Sequence, residues 1–440
     1  MYNNKQIWSI SYPILLGLLA QNIINVTDTA FLGHVSEVAL GAAAMGGLFY
    51  VCIYTIAFGF SVGSQIVIAR RNGEQQYQEV GPVMNQGCMF LILLAILMFG
   101  FTKGFGGDVM RIMVSSDAIY DATMEFINWR IFGFFFSFAS VMFRAFYIGI
   151  TRTKVLTINA IVMALTNVAL DYVLIFGKFG FPEMGIKGAA IASVIAEASS
   201  ILFYLIYTYI TVDLKKYGLN KLRSFDATLL IRILSISSFT MLQYFLSMST
   251  FFAFFMVVER LGQRELAIAN IVRSIYILLF IPVNALATTA NSLVSNAIGA
   301  GGVQYVMGLV KKIARMDFLI MVVLAGLIAL FPQSIVSIYT GDASLIAECI
   351  PSVYVICIAM LVASVANVVF NSISGTGNTR AALILESGTL VFYVAYLLLI
   401  GVVFKAPVEI CFTTELVYYS LLLITSYIYL KKAKWQNKKL

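Results

Sequence analysis

The chain is 440 residues long, 60% hydrophobic and 11% charged, whereas a soluble domain carries about 25% charged residues, so water is excluded as its main solvent. The net charge of +8 would suit nucleic acid, but the bases sit in short loops between apolar runs and in the tail KKAKWQNKKL, where they report membrane orientation, and nucleic-acid binding is discarded. With His34 the one histidine and no CxxC among the five cysteines, the residues argue against a hydrolytic nucleophile, a disulfide framework and a thiolate metal site.

Apolar runs recur at the length a helix needs to cross a hydrocarbon core about 30 Å thick, rising 1.5 Å per residue. They predict about 12 transmembrane helices, at 10–32, 40–69, 80–102, 124–148, 155–176, 188–210, 229–258, 266–293, 318–339, 350–372, 381–404 and 408–430. The first run, behind MYNNKQ, is too long for a signal-peptide core and lacks a small-residue cleavage site, so it is expected to persist as a span. Loops after even-numbered spans hold Arg70, Arg71, Arg152, Lys154, Lys215, Lys216, Lys221, Arg223, Lys311, Lys312, Arg315 and Arg380. Odd-numbered exits hold few bases, so both termini are expected in the cytoplasm.

The second half repeats the first at a shift of about 226 residues: Ser9-Ile10-Ser11 lies over Ser235-Ile236-Ser237, and YIGITRTK from Tyr147 over ISGTGNTR from Ile373. Each repeat holds six spans, an even number that keeps both copies in one orientation. The expected architecture is an all-α integral membrane protein of two pseudo-symmetric six-helix lobes around a central cleft. The lobes are 1–214 and 226–440, joined by a cytoplasmic linker at 215–225.

Charged residues at membrane depth cost a few kcal/mol each, so those that persist usually face a cavity and serve transport. Pro13 in span 1 removes a backbone hydrogen bond and is either a hinge or a first-turn proline. Further along that span, Asn25 precedes Asp28 by about one turn. In span 5, Asn167 precedes Asp171 by four residues and shares its helix face. Ser193 opens span 6, with Glu197 one turn deeper. Asp28, Asp171 and Ser193 fall at a common depth, roughly 5 to 12 Å from the outer boundary. A pair of carboxylates in an apolar bundle suits cation coupling, because each disfavours the other's charge until a proton or metal cation joins them. The bland alternatives are that Asp28 caps a helix end and that Asp171 is satisfied by Asn167. Glu386, Glu415 and Arg273 rank second, Glu386 and Arg273 being near enough to span ends to lean toward water.

These segments together resemble the multidrug and toxic compound extrusion (MATE) family over nearly the whole chain. Pro13 with QNIINVTDTAFLGHV resembles its first span, TNVALDYVLIFG its fifth and GIKGAAIASVIAE its sixth, and the repeated loops after spans 4 and 10 fit as well. The resemblance implies alternating access and exchange of H⁺ or Na⁺ for bulky, often cationic compounds. It places Asp28, Asn167, Asp171 and Ser193 in the coupling site, with Na⁺ at Asp28, Asn167 and Asp171 the one metal to consider and no other cofactor. It is similar to the DinF-like branch. A tyrosine frequent in the family's fourth span is Phe126 here, and the acids of the NorM branch in spans 7 and 10 have no counterpart in ANVVFNSISG, while Glu259 falls at a span exit.

The expected function is therefore cation-driven export of small organic substrates, by a monomer embedded in the lipid bilayer of a bacterial inner membrane. A lipid-linked oligosaccharide flippase would favour more spans and a cationic cleft for phosphate. An intramembrane aspartyl protease would use Asp28 and Asp171, but YD and GxGD contexts are absent, so the chain is not read as an enzyme. The basic-loop pattern makes one topological prediction. Labels on residues 215–225 and on the C-terminal lysines should react only from the cytoplasmic side, and labelling from the opposite face would overturn the span count or the orientation.

Overall fold

The computed structural model describes residues 2–114, 116–220, 224–433 and 435–436. Lys221 and Arg223 of the linker, and Lys434 and residues 437–440 of the tail, lie outside them. The chain folds as α1 (Asn4–Val35), α2 (Glu37–Gly73), α3 (Val80–Met113), α4 (Asp117–Arg130), α5 (Gly133–Gly149), α6 (Lys154–Phe176), α7 (Gly185–Thr211) and α8 (Ala227–Glu259). It continues as α9 (Gln263–Gly299), α10 (Val306–Leu330), the short α11 (Pro332–Val336), α12 (Ala343–Gly375), α13 (Thr379–Leu398), the short α14 (Val408–Cys411) and α15 (Thr413–Lys432). Among the described residues, eleven helices are long and apolar enough to cross a membrane, and α4 with α5, bent by 54° at their junction, brings the number to twelve when the pair is counted as one span. This is a multi-pass α-helical membrane protein.

The duplication is visible element by element. Helices α2 and α9 end on Gly73 and Gly299, α5 and α12 on Gly149 and Gly375, and single 3₁₀ turns follow at Tyr77–Glu79 and Val303–Tyr305, each pair at the shift of about 226. Two expected spans need correction. The fourth, drawn as unbroken from 124 to 148, breaks after Arg130 and resumes at Gly133. The ninth, drawn at 318–339, is α10, about a dozen residues earlier. Lys311, Lys312 and Arg315 are not loop residues but ride on its first turns, where Lys312 Nζ donates to the Tyr2 carbonyl at 3.1 Å. That shift leaves Asp317 in mid-helix, fully buried, with neither carboxyl oxygen meeting a donor.

Two compact units emerge from the packing. One comprises Tyr12–Met241, the other Met1–Ser11 with Leu242–Leu440. Their boundaries fall inside α1 and α8, whereas the sequence reading drew its boundary at 215–225. In the first unit, Gly59 and Gly63 of α2 admit the backbone of α8 so closely that a Cβ on Gly59 would lie 2.6 Å from Met241 Cα, and one on Gly63 would meet Ser237. Thr240 Oγ1 seals the contact by donating to the Gly59 carbonyl at 2.6 Å. This is small-residue packing one helical turn apart, which lets helices associate where lipid gives no hydrophobic drive. In the second unit the repeat-related contact joins Ser11 and Thr289, their hydroxyls 3.0 Å apart.

The packing predicts opposite outcomes at two glycines. Gly63→Leu should lower the melting temperature in detergent, since overpacking a tight contact costs about 1–3 kcal/mol. Gly100→Ala, in a helix where a Cβ meets nothing within 4 Å, should hold or raise it by up to ~1 kcal/mol through helix propensity. Equal melting temperatures for both variants would refute the packing assignment.

Candidate functional site

Helices α6 and α7 lie close because α7 begins with small residues. A Cβ on Gly188 would fall 2.7 Å from the Leu174 carbonyl oxygen of α6, and Ala189, Ala190 and Ala192 follow it into the buried face. The turn between the helices is fixed by Gly177, which ends α6 in the left-handed conformation at φ +62°, and by Met184 N donating to the Leu174 carbonyl at 2.9 Å. That geometry aligns Asn167 and Asp171 of α6 with Ser193 and Glu197 of α7.

A cavity of about 250 Å³ lies within the Tyr12–Met241 unit. Asn25, Asp28, Asn167, Ser193 and Glu197 all line it, as do Tyr50 of α2 and Phe126 and Arg130 of α4. Asp171 is fully buried, with the Asp28 carboxyl as its neighbour. Pro13 is remote, fifteen residues before Asp28 on α1, or roughly 22 Å along the axis. It stands well inside the helix, so it is not a first-turn proline, and its carbonyl accepts from Thr157 Oγ1 at 3.1 Å.

Neither bland reading of the acids holds. Asp28 does not cap a helix end, because α1 continues to Val35. Asn167 does not satisfy Asp171: both polar side-chain atoms of Asn167, both carboxyl oxygens of Asp171 and Asp28 Oδ1 are buried with no protein donor or acceptor. An unmatched buried polar group costs about 1–3 kcal/mol, more when charged. Five such atoms fall in one neighbourhood. A proton shared between the two carboxyls, or a small cation held by them and the Asn167 carbonyl, would satisfy them. Among the described residues no cluster of three His, Cys, Asp or Glu side chains could hold a metal ion. A wider hollow at the loop after α2 is lined by Arg71, Gln76 and Lys216 among others, but Arg71 there is already paired with Glu74 and Gln76.

Glu197 belongs to a different arrangement from the aspartates. Arg130 grips it with two parallel bonds, Nη2 to Oε1 at 2.6 Å and Nη1 to Oε2 at 2.9 Å. Tyr50 Oη lies 3.1 Å from both carboxylate oxygens and 2.8 Å from Ser137 Oγ. The guanidinium also stacks 3.6 Å over the Tyr50 ring, which in turn stacks on Phe134 at 4.8 Å. Glu197 is therefore neutralised in place rather than added to the acidic pair. Sequence reasoning missed Arg130. The signal was an arginine four residues before FFF in a run otherwise read as one span, and its partner stands 67 residues away. Gly133 completes the arrangement, since a Cβ there would strike both Arg130 and Glu197.

The family model for MatE matches residues 13–173 and 240–407, two stretches whose starts repeat the internal stride. A probable multidrug resistance protein NorM of Thermotoga maritima is 24% identical over 384 residues, 87% of this chain and 82% of the relative. The protein of that name in Idiomarina loihiensis is 25% identical, over 78% and 75% of the two chains. Among solved structures, an outward-facing multidrug resistance MATE family transporter of the MOP superfamily superimposes with a TM-score of 0.88 at 19% identity, covering 97% of this chain and 95% of its own. A MOP superfamily transporter from Pyrococcus furiosus, described as having a binding pocket of reversed polarity, gives 0.84 at 18% identity, covering 98% and 97%.

The ion pair generates a prediction of its own. Arg130→Ala leaves Glu197 charged with Tyr50 Oη as its remaining donor, and removing one partner of a fully buried pair costs about 3–5 kcal/mol, an upper bound for this partly buried one. The variant should show a clearly lower melting temperature, and Arg130→Ala with Glu197→Gln should recover part of the loss. A double variant no more stable than the single one would show that Arg130 acts through packing alone.

Proposed function

Since the chain belongs to the MatE family, whose members are membrane transporters and not enzymes, we propose that it exports organic, often cationic compounds in exchange for H⁺ or Na⁺ by alternating access. The observation that carries the reading is the Asp28–Asp171 pair, two neighbouring carboxyls with an adjacent amide and five unmatched buried atoms. The names of the NorM relatives support drugs as one class of cargo. A cavity of about 250 Å³ is below the roughly 300–1,000 Å³ of drug-sized pockets, which suits an ion with its waters rather than the cargo. We take the protein to work as a monomer in a bacterial inner membrane; the distribution of its basic loops supports cytoplasmic termini.

In this mechanism Asp28 and Asp171 bind the ion as one unit and Asn167 supplies a neutral oxygen beside them. Ser193, on the same cavity, offers a hydroxyl that both donates and accepts. Coupling requires that ion and cargo favour different states of the protein, since a ligand with equal affinity for both shifts nothing. One charge moving through 100 mV supplies about 2.3 kcal/mol, enough for a roughly 50-fold population shift.

Proteoliposomes with separate H⁺ and Na⁺ gradients test this. A dye such as ethidium should move against its gradient in one of them, and failure of both gradients with a broad panel of cationic and neutral compounds would end the exporter reading. Asp171→Asn is nearly isosteric and should keep the fold and some cargo binding while losing gradient-driven export and ion dependence. Asp28→Asn should do the same, and the double variant should be little worse than either single one. Normal export with unchanged ion dependence in Asp171→Asn would remove these residues from the coupling role.

A further inference from the structure

The unit that contains α9–α15 buries an acid of its own. Glu386 on α13 is 4% exposed, contrary to the expectation that it leans toward water. Two hydroxyls from other helices point at one of its oxygens: Ser247 Oγ of α8 and Tyr418 Oη of α15 both donate to Oε1, the latter at 3.3 Å. The other oxygen, Oε2, is sealed from solvent and meets no partner. No Lys or Arg forms an ion pair with this carboxyl among the described residues.

Around it is a set of groups that can carry protons. The Tyr418 ring packs on Tyr393 at 5.8 Å and on Tyr419 at 5.0 Å. Tyr393 Oη donates to Glu415 at 3.0 Å, and Tyr419 Oη is 2.5 Å from Tyr276 Oη of α9. The groups that bond Glu386 are thus two hydroxyls, and the second carboxyl of the region, Glu415, is held by Tyr393. A carboxylate here would have its charge eased at Oε1 by two donors and stranded at Oε2, where burial without a partner is costly. A proton on Oε2 removes that charge and leaves the Oε1 bonds intact.

We propose that Glu386 is a second proton-binding site, distinct from the Asp28–Asp171 pair, which holds a proton on Oε2 at neutral pH and releases and regains it during turnover. The proton leaves as H⁺ from the acid, Ser247 and Tyr418 hold the resulting anion, and the reverse step restores the neutral group. The turnover half of this inference rests on the exchange reading; the resting protonation does not.

Infrared difference spectra of the purified full-length protein test the resting state. The carbonyl stretch of a protonated carboxylic acid should be present at neutral pH, lose one component in Glu386→Gln, and shift in Tyr418→Phe, which keeps the ring but removes a donor. Asp317 can contribute a band of its own, so the assignment rests on the difference between Glu386→Gln and the parent. Identical acid bands in parent and Glu386→Gln would overturn the proposal. Turnover is read in proteoliposomes as the pH gradient needed to balance a fixed cargo gradient. Glu386→Gln should carry one proton fewer per cargo and so need a steeper gradient, and an unchanged balance point would remove Glu386 from the cycle. If the parent moves no cargo, the exchange reading fails while the infrared result still stands.

Discussion

Hydrocarbon offers a polar group nothing to bond with, and the whole structure is arranged around that shortage. Backbone groups answer it by forming helices from end to end. Serine and threonine side chains answer it by donating to carbonyls three or four residues earlier, as Ser11 does to Ile7, Thr166 to Val162 and Thr289 to Ala285. Charges answer it in pairs, and Arg130 with Glu197 is the example at membrane depth in the first unit. Once these are matched, the atoms that stay unmatched are few. Five of them fall together at Asp28, Asn167 and Asp171, and others lie on the buried acids Glu386 and Asp317 and on single polar side chains such as Asn159, Gln243 and Ser352, so the aspartate pair stands out by its clustering.

The bend between α4 and α5 shows how the two uses meet. Arg130 ends α4 and reaches α7, Tyr50 reaches in from α2, and Gly133 starts α5 with no side chain to obstruct them. A straight fourth span with a Cβ at that point would have no room for the pair. Three helices are thereby held at one wall of the cavity by bonds among charged and hydroxyl groups, and the aspartates on α1 and α6 stand at another part of its surroundings without donors of their own. Fixed charge next to an unmatched pair gives a rigid setting in which the addition of one ion is a large change.

Much of this was legible in the sequence because the bilayer imposes a length on every span and a penalty on every charge. Most of the spans, the duplication and the common depth of Asp28, Asp171 and Ser193 follow from hydropathy and helix spacing, whereas their meeting in one site was implied by the family resemblance. What was not legible depends on partners far apart in the chain. Arg130 could be seen as a charge but not as the counter-ion of Glu197, and the glycine that admits the pair looks like any other glycine in an aromatic run. Glu386 was read by distance from a span end, although its burial is decided by Ser247 and Tyr418 on two other helices. Three bases in the first turns of α10 read as a loop in the sequence, which displaces the ninth span and leaves Asp317 outside it.

The division of α1 and α8 between the units bears on how the protein is made. Ser11 leaves the ribosome 278 residues before Thr289, the hydroxyl it meets. At about 5–20 residues per second the start of α1 waits on the order of fifteen seconds to a minute for its site. During that interval Gly59 and Gly63 also present an uncovered groove until Ser237–Met241 arrive. Neither half of the gene encodes a finished unit, so a nascent chain stopped after the first repeat is an assembly intermediate that needs shielding from other membrane helices. The Tyr12–Met241 unit is completed just past mid-chain, when α8 has been made, and the other unit only when the final helices follow.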